Sequence, residues 1–250
     1  MIDWLRRAGI RGAPDEPERE PLLIPVGDRA LPLAVRRLAN ARRMTLRLSP
    51  DGSEIRVSIP RWARIADAED FARSRADWIA RALSALPEPV VPRPGGTVPY
   101  RGEPLAIDWH EAHPRRPALH GHAIRVGGPA DAIAARLARW LEGEALRLLT
   151  ADLAEYCARA GQDAPRLALS RAQRRWGSCA SDGTIRINWR LVMAPDHVRR
   201  SVVAHEVAHL AHFDHSPAFH AALDRLFEGD IDAANRWLKR EGRGLYQPFG

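Results

Sequence analysis

The residues best suited to chemistry form the pattern His-Glu-x-x-His within SVVAHEVAHLAHF. Two residues four positions apart lie on one face of a helix, so the imidazoles of His205 and His209 can converge on one cation. Glu206 lies between them, where its carboxylate can reach a water molecule bound to that cation. The pattern therefore predicts a metal site suited to hydrolysis, with Glu206 as its catalytic residue.

The predicted metal is a single zinc ion, because zinc binds imidazole nitrogen and in catalytic sites takes three protein ligands and a water. We predict His215 as the third ligand, since Ser216 and Pro217 can begin a further helix and the chain must turn before them. His212 lies roughly 10.5 Å beyond His205 along a straight helix, which favours a supporting or surface position. The weaker candidates for the third ligand are Asp224, Glu228 and His220.

The helix that carries the motif has two apolar sides. Val198 and Val202 share the histidine side, whereas Val203 and Val207 lie on the other, so we expect protein to cover both. Burying two imidazoles costs free energy unless their nitrogens are bonded, and a divalent cation bonds them directly. Core histidines bonded to backbone carbonyls are the alternative interpretation.

A second β-hairpin is predicted over residues 174–190, just before this helix, with ASDG as its turn. One of its strands could bind an extended peptide by adding that peptide to the sheet. The residues that could contact a substrate there are Arg174, Arg175, Trp176, Ser178 and Asn188. Arg175, Ser178 or Asn188 could stabilise an oxyanion, whereas core packing is the favoured interpretation of Trp176.

Three arginines near the start of that hairpin indicate a second possible chemistry. Arg171, Arg174 and Arg175 could hold the phosphates of a nucleotide, since a guanidinium binds phosphate through paired hydrogen bonds. The metal site would then hydrolyse a phosphoanhydride. The pattern G-x-x-x-x-G-K-[ST] is absent, and a solvated arginine surface is an equally good interpretation.

Further elements must position these residues. We predict an unstructured or surface-bound tail over 1–28, a β-hairpin over 44–59, and one amphipathic helix from Ile65 to Leu86 that Pro87 ends. The later predicted elements are strands over 97–109 and 122–126 and a long helix from Ile133 to about Ala160, with Gly161 as its C-cap.

The composition limits the class of protein. A chain of 250 residues that is 45% hydrophobic can form one large domain or two small ones. Its net charge of +7 is compatible with a nucleic-acid partner, for which the candidate residues are Arg36, Arg37, Arg42 and Arg43. Only Lys239 among the 38 basic residues is a lysine, so coding bias can also explain the arginine content.

The compartment is predicted from cysteines and apolar segments. Cys157 and Cys179 have dissimilar surroundings and are predicted to be free thiols. We find neither a signal peptide nor an uncharged apolar segment of about 18 residues. A cytoplasmic protein with no membrane association is therefore expected.

The chain resembles the YgjP-like metallopeptidases, relatives of the SprT-like and WLM zinc proteases, in the run RRWGSCASDGTIRINWRLVMAPDHVRRSVVAHEVAHLAHFDHSPAF. It also resembles their N-terminal part in LPLAVRRLANARRMTLRLSPDGSEIRVSIP, so the likeness covers residues 30–240. The resemblance implies His205, His209 and His215 as zinc ligands and Glu206 as general base. The family usually has tryptophan where this chain has His220, which makes His220 a candidate pocket residue.

The resemblance implies an α+β fold, in which a zincin-like catalytic domain follows a β-rich N-terminal part. We place a tail at residues 1–28, a β-rich subdomain with one helix at 29–128 and the catalytic subdomain at 129–250. In the leading hypothesis the protein cleaves peptide or protein substrates, and Glu206 takes a proton from a zinc-bound water whose pKa is about 7.

Two other functions compete with peptide hydrolysis. A nucleotide phosphoanhydride hydrolase would use the same metal. A nucleic-acid-binding module would hold zinc only as a structural ion, but structural sites usually have four ligands and are rich in cysteine. Cys179 has no C-x-x-C partner, so the third hypothesis is the weakest.

Overall fold

A computed structural model of the chain describes residues 22–49, 51–85 and 91–249. These residues form three sheets and six α-helices, which confirms the predicted α+β class. They divide into two compact units, one comprising residues up to 47 and 54–80, the other comprising 48–53 and 81 onwards. The predicted subdomain boundary at residues 128 and 129 stays a prediction.

The first four strands form one sheet with the order β1-β2-β4-β3. Its strands are β1 (Leu23–Val26), β2 (Arg29–Arg37), β3 (Thr45–Leu48) and β4 (Ile55–Ile59). Strands β3 and β4 are neighbours, as the hairpin over 44–59 predicts, and Ile55, Val57 and Ile59 are buried. Strand β2 lies antiparallel to β1 and parallel to β4.

The predicted tail over residues 1–28 is wrong where strand β1 forms. Residues 23–26 pair with β2, and Ile24 and Val26 are buried, because alternate residues of a strand point to the same face. The last part of the predicted tail is therefore a strand of the sheet. The remainder of the predicted tail, residues 1–21, lies outside the described residues.

The prediction of one continuous helix from Ile65 to Leu86 is wrong. Two helices occupy this segment, α1 (Ile65–Arg73) and α2 (Ala76–Ser84). The hydroxyl of Ser74 donates a hydrogen bond to the carbonyl of Phe71 at 2.8 Å, and such local bonds compete with continued helix. Pro87, the predicted helix terminator, lies outside the described residues.

The second unit begins with a sheet of order β5-β6-β8-β7. Its strands are β5 (Thr97–Tyr100), β6 (Glu103–Trp109), β7 (Ala118–His120) and β8 (Ala123–Val126). The long helix α3 (Ile133–Ala160) follows and ends at Gly161, whose left-handed backbone is that of the predicted C-cap. Buried residues of this sheet and of α3 share one hydrophobic core with the rest of the unit.

The remaining elements surround the predicted motif. A three-stranded sheet has the order β10-β11-β9, with β9 (Leu167–Ser170), β10 (Gly177–Cys179) and β11 (Ile185–Asn188). Strands β10 and β11 are antiparallel, which confirms the second hairpin, and β11 is parallel to β9. The helices that follow are α4 (Asp196–Ala208), α5 (Pro217–Leu226) and α6 (Ile231–Glu241).

The structure also bears on the cysteines and on membrane-spanning segments. Cys157 and Cys179 are both free, as predicted. Within the described ranges, no helix combines the length and apolar character that crossing a bilayer requires. The cytoplasmic location stays a prediction.

Buried ion pairs hold α4 against α3. The Arg199 guanidinium donates to the Asp152 carboxylate at 2.7 Å, and both side chains are almost fully buried. Arg200 adds bonds to Glu155 at 2.8 Å and to Glu228 at 2.7 Å, which ties the chain beyond α5 to the same cluster. In a low-dielectric interior, neither partner of such a pair can be removed without leaving an uncompensated charge.

We predict that Arg199→Met lowers the free energy of unfolding by about 3 kcal/mol, because it leaves the Asp152 carboxylate buried without its closest cation. The matched control is Arg73→Met, which breaks an exposed pair with Glu69 and should cost less than about 1 kcal/mol. Urea unfolding measures both. Equal losses in the two variants would show that burial adds nothing to the Arg199 pair.

Candidate metal centre

The end of helix α4 brings the first two histidines together. The helix closes at Ala208, with His209 as its C-cap residue, so His205 lies in the last turn and His209 at its edge. The chain then turns, and Ser216 caps helix α5 by accepting a bond from the Phe219 amide, with Pro217 at the first helical position. This confirms the predicted start of α5, and the turn returns His215 to the end of α4.

His205, His209 and His215 each offer one ring nitrogen, and these three atoms lie within 4.8 Å of one another. The Nε2 atoms of His205 and His215 are 3.2 Å apart. Two ligands that each lie 2.0–2.1 Å from a tetrahedral zinc are themselves roughly 3.3 Å apart. The three imidazole donors, and the spacing of this pair, therefore fit a zinc ion.

The backbone carbonyl of His212 orients one member of this cluster. It lies 2.9 Å from Nδ1 of His209, so that nitrogen can donate its proton to the carbonyl and leave Nε2 as a free donor to a cation. His212 contributes its main chain to the cluster, and its imidazole is not a member. His212 therefore supports the cluster through its backbone carbonyl and not through its side chain.

A buried aromatic ring packs against all three imidazoles. The ring of Phe219 is fully buried, and its centroid lies 4.9, 4.5 and 4.8 Å from those of His205, His209 and His215. Phe219 therefore restricts the orientation of every member of the cluster. Its spacing fits any amphipathic helix, so the sequence carried no separate signal for this role.

Burial keeps His205 neutral. Burial first, and then the neighbouring imidazoles of His209 and His215, lower the pKa of this imidazole to about 4. A neutral imidazole offers a lone pair, as a metal ligand must. Near neutral pH the residue is therefore in the form that binds a cation.

Glu206 occupies a narrow space between α4 and β10. Its side chain is buried, and a β-carbon at Gly177 would lie 2.3 Å from its Oε1 atom. Only glycine allows the strand to pass so close. Burial raises the pKa of Glu206 to about 7, and this value already includes the opposing effects of a hydrogen bond from the Cys179 amide and of the charge of Arg175.

A cavity of about 230 Å³ adjoins His205 and Glu206. Its walls are mostly apolar and come from three helices, with Val202 of α4, Leu223 of α5, and Ile231 and Leu238 of α6. Trp176 and Gly177 close it on the sheet side. The sequence did not indicate this cavity, because residues on separate helices form it.

The predicted substrate residues of the second hairpin occupy different environments. Arg174 and Arg175 are exposed, and Arg175 acts electrostatically on Glu206. Ser178 lies half-buried in β10. Trp176 lies in the cavity wall and also packs against Tyr246, with ring centroids 5.6 Å apart.

Asn188 is a correction to the predicted substrate residues. It is fully buried, and its amide donates to the Ala172 carbonyl at 2.8 Å and to the Tyr246 hydroxyl at 3.1 Å. Its carbonyl oxygen accepts from the Arg190 amide. With its amide committed inside the protein, Asn188 joins β11 to the C-terminal segment and does not face an oxyanion.

The other candidate ligands lie outside the histidine cluster. The exposed ring of His220 lies 6.5 Å from that of His215. Glu228 accepts hydrogen bonds from Tyr156, Arg159 and Arg200. Within the described ranges, the group of residues able to hold a metal contains neither these two nor Asp224.

A known protein family matches most of the chain. The family model described as YgjP-like, metallopeptidase domain, matches residues 42–241, which include the whole histidine cluster. No curated protein and no solved structure matches the chain.

We predict that His205→Ala and His209→Ala each weaken zinc binding by more than the 10-fold to 100-fold that loss of an outer-shell contact costs, because each removes a ligand. The matched control is His220→Ala, which removes an imidazole outside the cluster. Competition with a chromophoric chelator measures the three affinities. If His209→Ala binds zinc as tightly as His220→Ala, the cluster does not hold the ion.

Proposed function

The chain belongs to the YgjP-like metallopeptidase family, and from that membership we propose that it hydrolyses peptide bonds with zinc held by His205, His209 and His215. The observation that carries this proposal is the convergence of three imidazoles beside the buried carboxylate of Glu206. Such a set leaves one position of a tetrahedral ion open, as catalytic zinc sites do.

His205, His209 and His215 together would hold the zinc ion. His205 is neutral because it is buried, and the His212 carbonyl orients His209. When bound, zinc acts as a Lewis acid that makes a water molecule more acidic and polarises the substrate carbonyl. Because Phe219 contacts all three rings, it would restrict their orientation around a bound ion.

Glu206 acts as the general base. Its carboxylate takes a proton from the attacking water and later delivers it to the leaving amine, so the same group serves both steps. The glycine backbone at position 177 and the Cys179 amide hold the carboxylate on the side of α4 that adjoins the cavity. A fixed orientation lowers the entropic cost of the transfer.

Strand β10 is the proposed binding edge for an extended peptide. It lies at the end of the sheet order β10-β11-β9, so one side of its backbone can pair with an added strand. The same strand contacts Glu206 through Gly177, which would bring the peptide backbone to the catalytic group. The adjoining apolar cavity would accept a side chain of the substrate, and Arg175 could stabilise the oxyanion.

Glu206→Gln is expected to keep stoichiometric zinc and to lose peptide turnover by about 10²-fold to 10⁴-fold, because the amide cannot accept the proton. The control is Glu111→Gln, an exposed position outside the cavity, which should leave turnover unchanged. Turnover is measured on an unfolded protein substrate, and zinc by atomic absorption. Full activity in Glu206→Gln would overturn its role as general base.

A nucleotide phosphoanhydride is the second candidate substrate. Its support is that exposed Arg175 acts electrostatically on Glu206, so a cation that could bind phosphate lies near the metal cluster. Arg171, the third member of the predicted clamp, already pairs with Glu142. The clamp is therefore reduced to Arg174 and Arg175, which favours the peptide.

Parallel assays on unfolded protein and on nucleoside triphosphates separate the two substrates. We expect peptide cleavage with no release of phosphate. Phosphate release that Arg174→Gln with Arg175→Gln abolishes, and that the matched pair Arg42→Gln with Arg43→Gln does not change, would replace the peptidase by a phosphohydrolase.

A purely structural zinc receives the least support. The histidine cluster found in the described part of the chain has three members and no cysteine, whereas structural sites are usually closed by four ligands. Glu206 would also have no role beside such an ion.

A further inference from the structure

Arginines line a second concave surface of the larger unit. This surface has a volume of about 590 Å³, and we name it the arginine groove. Its basic residues are Arg115, Arg116, Arg136, Arg139 and Arg147. None of them belongs to the metal centre or to the arginines that the sequence singled out.

Two separate segments form the arginine groove. Arg136, Arg139 and Arg147 lie on one face of α3 and extend over roughly 16 Å of its axis. Arg115 comes from the loop between β6 and β7, and it meets Arg136 beside Gly128. A β-carbon at Gly128 would lie 3.2 Å from Cγ of Arg115 and 3.0 Å from Nη2 of Arg136.

The positive charge of the arginine groove is largely uncompensated. Its lining contains one carboxylate, Glu144, which already accepts from Arg147 at 2.7 Å and from the Tyr100 hydroxyl at 2.7 Å. Among the residues that the structure describes, no carboxylate pairs with Arg115, Arg116 or Arg139. Like charges gathered in a concavity attract a polyanion and raise its local concentration.

An aromatic ring and a bare helix backbone lie between the arginines. Trp140 is half-buried, packs against the tilted ring of Tyr100 with centroids 5.2 Å apart, and lines the groove. One turn away, Gly143 is exposed, and a β-carbon there would meet no atom within 4 Å. Glycine weakens the interior of a helix, but here it leaves open space beside the tryptophan.

We propose that the arginine groove binds single-stranded nucleic acid, with phosphates paired to the arginines and a base stacked on Trp140. A basic groove with an aromatic ring is the arrangement that binds such strands without sequence preference. A flat anionic membrane does not match a concave surface, and an acidic peptide offers carboxylates but no base to stack. The proposal is independent of the peptidase chemistry.

The predicted nucleic-acid residues Arg36, Arg37, Arg42 and Arg43 lie in the other unit. Arg37 donates to the backbone carbonyls of Arg61 and Ala63, so it serves the fold of that unit. Arg36, Arg42 and Arg43 are exposed and provide a matched control.

The first test uses substitutions at the open position of α3. Gly143→Glu adds a negative charge to the arginine groove, whereas Gly143→Gln adds the same volume without charge. Both residues are better helix formers than glycine and meet open space, so both variants should fold. Fluorescence anisotropy with a labelled oligothymidylate of about 12 nucleotides measures binding. We expect Gly143→Glu to bind at least about tenfold more weakly than Gly143→Gln.

The second test removes three arginines together. The triple variant Arg115→Gln, Arg116→Gln and Arg139→Gln should bind with a weaker dependence on salt. The magnitude of the negative slope of log affinity against log salt should fall by about 2, since each single-strand phosphate contact contributes about 0.7. The control triple of Arg36→Gln, Arg42→Gln and Arg43→Gln changes net charge equally and should leave the slope unchanged. An abasic strand of equal length should bind about tenfold more weakly than oligothymidylate.

Three results would overturn the proposal. They are equal losses in the two arginine triples, equal binding by the Gly143→Glu and Gly143→Gln variants, and displacement of the oligonucleotide by polyglutamate as effectively as by unlabelled strand. The last would identify an acidic peptide as the ligand. Because peptide turnover is not measured, failure here leaves the metallopeptidase proposal unaffected.

Discussion

Helix α4 is buried on almost every side, and this constraint determines much of the surrounding structure. Nine of its thirteen residues are buried, including Arg199 and Glu206. A buried polar group must be bonded or it destabilises the fold, so each needs a partner from a neighbouring element. Asp152 of α3 supplies one for Arg199, and the Cys179 amide of β10 supplies one for Glu206.

The same constraint makes the imidazole cluster a site for a cation. His205 cannot carry a proton easily where it lies, since burial and two neighbouring imidazoles lower its pKa. Its Nε2 atom faces that of His215 at a separation suited to two ligands of one ion. The ring of Phe219 packs against all three imidazoles and restricts their orientation. The apolar surroundings thus provide neutral, oriented donors, as a Lewis-acidic ion requires.

The larger unit has paired charges in one region and an excess of positive charge in another. Around α4, opposite charges are matched in buried pairs, and Arg200 with Glu155 and Glu228 extends this network. Along α3, Arg136, Arg139 and Arg147 outnumber Glu144, the carboxylate that lines the arginine groove. The first arrangement stabilises the fold, whereas the second attracts an anion, because only exposed and unmatched charges are available to a partner.

The sequence by itself determined the local features of the site. The spacing of His205 and His209 indicated a helix with a shared face, and Ser216 with Pro217 indicated the turn that returns His215. Long helix α3 and the hairpin of β10 and β11 also followed from periodicity and turn residues. Only the tertiary structure decided what lies between elements distant in sequence. In the folded chain, position 177 must be glycine, Asn188 is buried and β1 pairs with β2. The cavity and the arginine groove also exist only in the folded chain. These features depend on packing and close approach, which a local pattern of residue types does not encode.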